Sequence, residues 1–382
     1  MGLSMRVPCP IRRVFSLPIS CFLGALSILL VLGADRSAEA NARFVSPPSA
    51  LSLYRLSLAA DETFAYSGRK YLTEWHEDDR IFASVEDVSH EPPASDLTVY
   101  LAPRSRKGRQ VLQVHNEFWT YVPDSRMIVH SFMPTDESPP EQTARFGLLL
   151  KNYSLSVSPK PTTVAGRKAF EVSIKPPTPG RPYALLWIDP TTGVVLRREE
   201  YHSDGALSSV SYFGEIHFHP KFTADEFLPG KWNGRGARIV DQPMHQDALV
   251  SPTRLPASFV GKAVMAPSLN GFELQKVTIL RSGGNEVLHL LYSDGLNPLS
   301  VYEAPKRGKA PTPVPFSHRV SLGGGVYGRA SHQYAYVLLN WDTPAMNFTL
   351  VSDISEENLV KIAIATGTVP TGPVVPVRAR HG

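Results

Sequence analysis

The sequence predicts an α+β protein: an N-terminal curled antiparallel sheet, an unclosed half-barrel with covering helices, joined to a smaller C-terminal α+β unit. Three observations carry this expectation. Short runs rich in β-branched and aromatic residues, punctuated by Pro, Gly, Asn and Asp, fill most of residues 63–220. Only two short stretches between residues 45 and 222, 49–60 and 141–151, read as helix. A second series of strand and hairpin signals begins near Leu255, after a segment of mixed composition, and closes on one amphipathic helix. A sheet of that many strands with so few helices to cover its apolar face is expected to curl around them.

The first 40 residues read as a leader. A basic segment ends at Arg12-Arg13, an apolar run covers 14–33, and "ADRSAEA" ends in Ala38-Glu39-Ala40. These are the parts of a secretory signal peptide, with cleavage expected after Ala40. Two other readings stay open: an uncleaved anchor, because the apolar run reaches membrane-spanning length, and lipidation at Cys21 in "PISC". Both cysteines, Cys9 and Cys21, fall in this leader. A chain cut after Ala40 therefore has no disulfide, thiol catalyst or cysteine metal site, which suits an oxidising compartment. No second segment is long and apolar enough to span a bilayer, so the exported product is expected to be soluble. The formal charge is +4, of which the leader's four arginines less Asp35 and Glu39 account for half. That bias is too small to argue for nucleic acid. The basic groups "RSRKGR" (104–109) and "KRGK" (306–309) read as solvated hairpin tips.

In chain order, "SALSLYRLSLAA" (49–60) places Leu53, Leu56 and Ala60 on one helical stripe, with Ser49 as a candidate cap. The period then changes to that of strands at 63–75, 96–103 and 109–132, with turns at His115-Asn116 and Pro123-Asp124. After the helical 141–151 segment, residues 164–207 read as a strand–turn–strand–turn–strand meander, and 207–220 adds a further strand. The expected organisation is therefore signal peptide 1–40, half-barrel 45–222, linker 223–252, second unit 253–367 and disordered tail 368–382. Within the second unit a strand starts at Phe272. Residues 286–305 form a hairpin turning at Ser293-Asp294-Gly295, and "SEENLVKIAIAT" (355–366) is a helix capped by Ser355, with Leu359, Ile362 and Ile364 or Ala365 as its buried side.

No enzyme signature is present: there is no G-x-S-x-G, phosphate loop or H-E-x-x-H. His217 and His219 share one strand face, a two-ligand start at best, and are expected to face solvent. Asp189, Asp204 and Asp294 each sit at a turn and are read as turn caps. "LGGGVYG" (322–328) lacks the Lys-Ser or Lys-Thr of a phosphate cradle. No catalytic residue, metal or cofactor is expected. The strand aromatics leave two readings open, ordinary packing or the walls of an apolar cavity. The cavity candidates are Phe64, Trp75, Trp119, Phe146, Trp187 and Phe213.

The N-terminal unit resembles the outer-membrane lipoprotein carrier and sorting fold through "EFWTYVP" (117–123), "VAGRKAFEVSI" (164–174), "LLWIDPTTGVVLRREEYHSDG" (185–205) and "YFGEIHF" (212–218). The C-terminal unit resembles the second domain of the MucB/RseB sigma-E regulatory family through "LPASFV", "GFELQ", "LLYSDGLNPLSVYE" (290–303) and "SEENLVKIA". The resemblance implies a periplasmic, non-enzymatic regulator or envelope-stress sensor. Its partners would be the periplasmic segment of an anti-sigma factor and an amphipathic ligand, a lipid or the acyl chain of a lipoprotein. The alternative is a soluble periplasmic lipid or lipoprotein carrier without a signalling role. A hydrolase with an unrecognised site and a scaffold with a filled core complete the range.

Overall fold

Two large sheets organise the chain, the first packed by two helices and the second by one. The computed structural model describes residues 48–75, 81–132, 139–241, 248–249, 255–261, 263, 265–282, 285–306, 317–333 and 336–369. The expected signal peptide, and the expected tail beyond 369, lie outside these residues. Helix α1 (Ala50–Thr63) starts where Ser49 accepts a hydrogen bond from the Ser52 amide, and it buries Ala50, Leu53 and Ala60. Helix α2 (Pro139–Asn152) ends in a pair of buried leucines, Leu148 and Leu149.

The first sheet contains β1 (Tyr66–Trp75), β2 (Ile81–Glu91), β3 (Ser95–Ala102), β4 (Gln110–Val114), β5 (Glu117–Val122), β6 (Met127–Phe132), β7 (Ser154–Val157), β8 (Thr162–Val164), β9 (Arg167–Lys175), β10 (Tyr183–Ile188), β11 (Val195–Tyr201), β12 (Leu207–Phe218) and β13 (Arg238–Asp241). Its thirteen strands run in the order β13-β6-β5-β4-β3-β2-β1-β12-β11-β10-β9-β7, with β8 also on β9. Most neighbours are also neighbours in sequence, and the pairing is antiparallel except where β13 lies parallel to β6.

The half-barrel expectation is corrected here. The sheet is open and mixed, and it is not curled or closed into a barrel. Its path ends on β13 at one side and β7 at the other, whereas closure requires the end strands to pair. The physical reason lies in how the apolar surplus is used. Leu53 of α1, Leu149 of α2 and Tyr153 pack with Phe170, Val172, Ile174, Leu186 and Ile188 of β9 and β10. The helices cover the apolar end of the sheet directly, and the sheet need not wrap itself to do so.

Residues 223–252, expected as a linker, contribute β13 to the first sheet and β14 (Ala248–Leu249) to the second. Trp232, just upstream of β13, is fully buried: it stacks on Tyr121 at 5.8 Å and donates to Gln110 Oε1 at 3.1 Å.

The second sheet adds β15 (Ser268–Leu269), β16 (Phe272–Ser282), β17 (Asn285–Ser293), β18 (Pro298–Pro305), β19 (His318–Gly323), β20 (Val326–Gln333), β21 (Tyr336–Asp342) and β22 (Met346–Ser352). The strand order is β14-β16-β17-β18-β22-β21-β20-β19, with β15 on β16. Helix α3 (Glu356–Ala365), capped by Ser355, lays Leu359, Ile362 and, in place of the expected Ile364 or Ala365, Ala363 into the core formed by Leu339, Phe348, Leu350 and their neighbours. Among the described residues no helix is long and apolar enough to cross a membrane.

Trp232→Ala removes a fully buried indole from the first sheet's core and is expected to cost about 3–5 kcal/mol. Urea unfolding checks this; a loss under about 1 kcal/mol would mean that the segment before β13 does not hold the sheet.

Candidate functional site at the junction of the two sheets

The two sheets meet through a buried polar node built on Asp294. Its local sequence, Ser293-Asp294-Gly295, turns β17 into β18. Asp294 Oδ1 accepts the Leu296 and Asn297 amides at 3.0 and 2.7 Å, which is the turn-capping role expected of it. Asp189 and Asp204 cap their turns similarly, through the Thr191 and Ala206 amides at 2.8 Å each.

Asp294 does more than cap. Its side chain is 0% exposed, and Oδ2 accepts two hydrogen bonds from the first-sheet side: the Tyr153 hydroxyl at 2.7 Å and Arg181 Nη1 at 3.0 Å. Asn297 Nδ2 donates to the same tyrosine oxygen at 2.5 Å. Beside it, Asn152 Nδ2 donates to the Asp294 and Gly271 carbonyls at 3.0 Å each, and Arg181 Nη2 donates to the Asn270 carbonyl at 2.5 Å. The residues that reach across come from the end of α2 and from the proline-rich β9–β10 loop. That loop also presents the Gly180 carbonyl to the Asn358 side chain at 2.7 Å and to the Ser355 amide at 3.2 Å, at the start of α3. Gly295 has φ +98°, and a Cβ there would run into the Leu149 backbone nitrogen. The turn therefore lies flat on α2, and only glycine fits.

Electrostatics follow from burial. The Tyr153 phenol is pushed up by burial first and then by the Asp294 carboxylate, so it acts as a hydrogen-bond donor and stays neutral. Asp353, half-buried near the node, has its carboxyl pushed up to about 7, by burial and then by Asp294.

A second polar zone lies on the first sheet. Leu186, Arg198, Ser211 and Leu72 stand directly opposite one another across β10, β11, β12 and β1. Lys70 stands opposite Glu86. Arg198 Nε donates to Glu200 Oε1 at 2.7 Å, and Ser209 Oγ to Glu200 Oε2 at 2.9 Å. Burial pushes the Glu200 carboxyl up, but Arg198 and Ser209 more than offset this and hold it below its usual range. Burial lowers the Lys70 ammonium despite the nearby Glu86. The sheet thus changes from apolar under the helices to a mix of charges and hydroxyls on β11, β12, β1 and β2.

The six cavity candidates fall into separate places. Trp187 and Phe213 share one buried cluster with Ala60 and Leu196. Phe64, at the end of α1, meets that cluster's margin edge-on through Phe218 at 6.4 Å. Phe146 of α2 stacks on Tyr54 of α1 at 5.8 Å, against the β9–β10 core. Trp119 packs with the cluster around Trp232 and stacks on His130 at 3.7 Å. Trp75 stands at the far end of β1, opposite Ile81. His217 and His219 are exposed, and among the described residues no group of three or more His, Cys, Asp or Glu could hold a metal.

Tyr153→Phe leaves the buried Asp294 carboxylate without one donor and is expected to cost about 1–3 kcal/mol in thermal or urea unfolding. No loss would mean that the hydroxyl is dispensable to the junction. Asp353 supplies a pH test. Its folded-state pKa lies above its ordinary value of 3.8, so the folded state holds the extra proton between about pH 4 and 7. The stability penalty of ionising it is absent below that window and complete above it. The Tm advantage of Asp353→Asn over wild type is therefore expected to grow from pH 4 to pH 7; a constant difference contradicts the assignment.

Comparison with known proteins bears on both sheets. Residues 105–230 match the family model described as the MucB/RseB N-terminal domain. The chain is similar to MucB in the Pseudomonas aeruginosa MucA/MucB complex, with 17% identity and a TM-score of 0.55, over 86% of this chain and 99% of that one. It is similarly related to MucB in complex with MucA(peri), with 17% identity and a TM-score of 0.53, over 82% and 97% of the two chains. No curated protein matches the chain in sequence. Residues 105–230 are thus similar to the MucB/RseB N-terminal domain, in a chain that has the fold of MucB.

Proposed function

We propose that this chain is an exported, non-enzymatic regulator that works outside the cytoplasm by holding the periplasmic segment of an anti-sigma factor. The observation that carries the reading is the extent of the likeness: it covers 86% of this chain and 99% of the matched chain of the MucA/MucB complex, more than either sheet alone spans. The leader of residues 1–40 supports export to the periplasm. The organisation into a first unit near 45–222 and a second near 253–367 belongs to the same reading.

The amphipathic ligand, a lipid or lipoprotein acyl chain, enters as a second ligand of the first unit. Its seat would be the apolar contact of α1 and α2 with β9 and β10, because the neighbouring strands are charged. Burial there would return about 0.8 kcal/mol per methylene. Side chains already fill this contact, so the ligand must displace α2, and Phe146 is the residue that would move with it.

The test is calorimetric titration of the mature chain with the periplasmic segment of the anti-sigma factor encoded nearest its gene. Binding at about 10 μM or tighter is expected. Absence of heat at about 100 μM, with the chain folded by circular dichroism, overturns the reading. A lauroyl ligand should then bind with a negative heat-capacity change and weaken capture of the segment. Leu186→Glu, at the centre of the helix-covered face, should abolish lauroyl binding; unaltered binding would place the acyl chain elsewhere.

A further inference from the structure

A recess of about 320 Å³ opens beside the β4–β5 turn, away from the junction of the sheets. It is lined by Val114, Trp119, Phe227, Leu228 and Pro229, with the polar His115, Asn116 and Glu117, of which Glu117 is the one carboxylate. The volume is at the low end for ligand sites, which run from about 300 to 1,000 Å³, so it suits a side chain or two rather than a whole lipid.

The site is held in shape from behind. Trp119 stacks on His130 at 3.7 Å, and His130 is itself fixed by Asp241 of β13 at 3.0 Å and faces Glu117 at 3.4 Å. Phe227 is anchored edge-on to Phe222 at 5.0 Å, which leaves the next residue, Leu228, 54% exposed at the rim. Glu117 keeps its side chain 43% exposed at the rim. An indole, apolar walls and a single carboxylate, with the β4–β5 turn residues His115 and Asn116 beside them, match a long apolar stem that ends in a cation. Cations favour the face of an indole, and the stems of Lys and Arg lie along apolar surface while their heads stay in water. The Glu117 carboxylate repels a phosphate or a fatty-acid head group at the same place.

We propose that this recess is a docking site for a lysine or arginine side chain, flanked by apolar residues, on a partner protein segment. The site stands on its own geometry and does not depend on which protein supplies the segment, so its failure would leave the regulator reading intact.

The experiment is an NMR titration of the full chain labelled in the tryptophan indole nitrogens. The probes are acetyl-Leu-Lys-Leu-amide, its norleucine analogue and its glutamate analogue. The lysine peptide is expected to shift the Trp119 indole resonance at millimolar concentration and to bind about fivefold tighter than the norleucine peptide. The glutamate peptide should bind less than either. Glu117→Gln should erase the lysine preference, and Leu228→Ser, at an exposed position that leaves the fold intact, should weaken both binders. Four outcomes overturn the proposal: no Trp119 shift up to about 20 mM peptide, equal binding of the glutamate peptide, a lysine preference that survives Glu117→Gln, or binding unaltered by Leu228→Ser.

Discussion

A carboxylate with no solvent exposure must find its donors inside the protein, and Asp294 finds them on both sides of a boundary between two sheets. Its own turn supplies two amides, and the first-sheet side supplies Tyr153 and Arg181. Few relative placements of the sheets satisfy all four at once. Gly295 tightens the requirement, because its turn touches the α2 backbone where any side chain would collide. The gain from such a buried charge lies less in net stability than in the cost of every arrangement that leaves the carboxylate unpaired. The relative orientation of the two sheets is set at this node.

The same constraint shapes the first sheet. The last turn of α2 is pinned to the second sheet through Asn152 and Tyr153, and this keeps Leu149 over β9 and β10. With α1 beside it, that end of the sheet is covered, and the sheet stays open. The next strands carry Lys70, Glu86, Arg198 and Glu200 on the face that a half-barrel would have reserved for apolar residues. The apolar surface of this face is therefore confined to the helix-covered end, and the rest of the sheet offers ion pairs and hydroxyls.

Features set by local sequence were legible beforehand. Ser49 and Ser355 cap the helices expected of them, and the hairpin at Ser293-Asp294-Gly295 turns where its residues require. The cap residues also marked Asp294 as structural, but its partners lie 141 and 113 residues away in Tyr153 and Arg181, and no periodicity connects them. The only hint was the glycine in each facing loop, Gly180 and Gly295. Strand β13 was illegible for a related reason: it is four residues long, largely exposed, and parallel to a strand more than a hundred residues earlier. The half-barrel expectation counted apolar strand residues correctly and assigned their cover wrongly. The cavity aromatics scattered among three clusters and a strand end because alternation fixes a face only once the register is known.

The claim that the Asp294 node holds the two sheets as one body is tested most directly by pulsed electron paramagnetic resonance between spin labels at Lys160 and Lys361. Both positions are exposed, one beside β7 and one on α3, and Cys9 and Cys21 would be replaced by serine if the leader is retained. A single narrow distance distribution is predicted for the otherwise native chain, with marked broadening in Asp294→Ala while circular dichroism shows both sheets still folded. A distribution already broad in the native chain, or one that Asp294→Ala leaves narrow and unshifted, would contradict it.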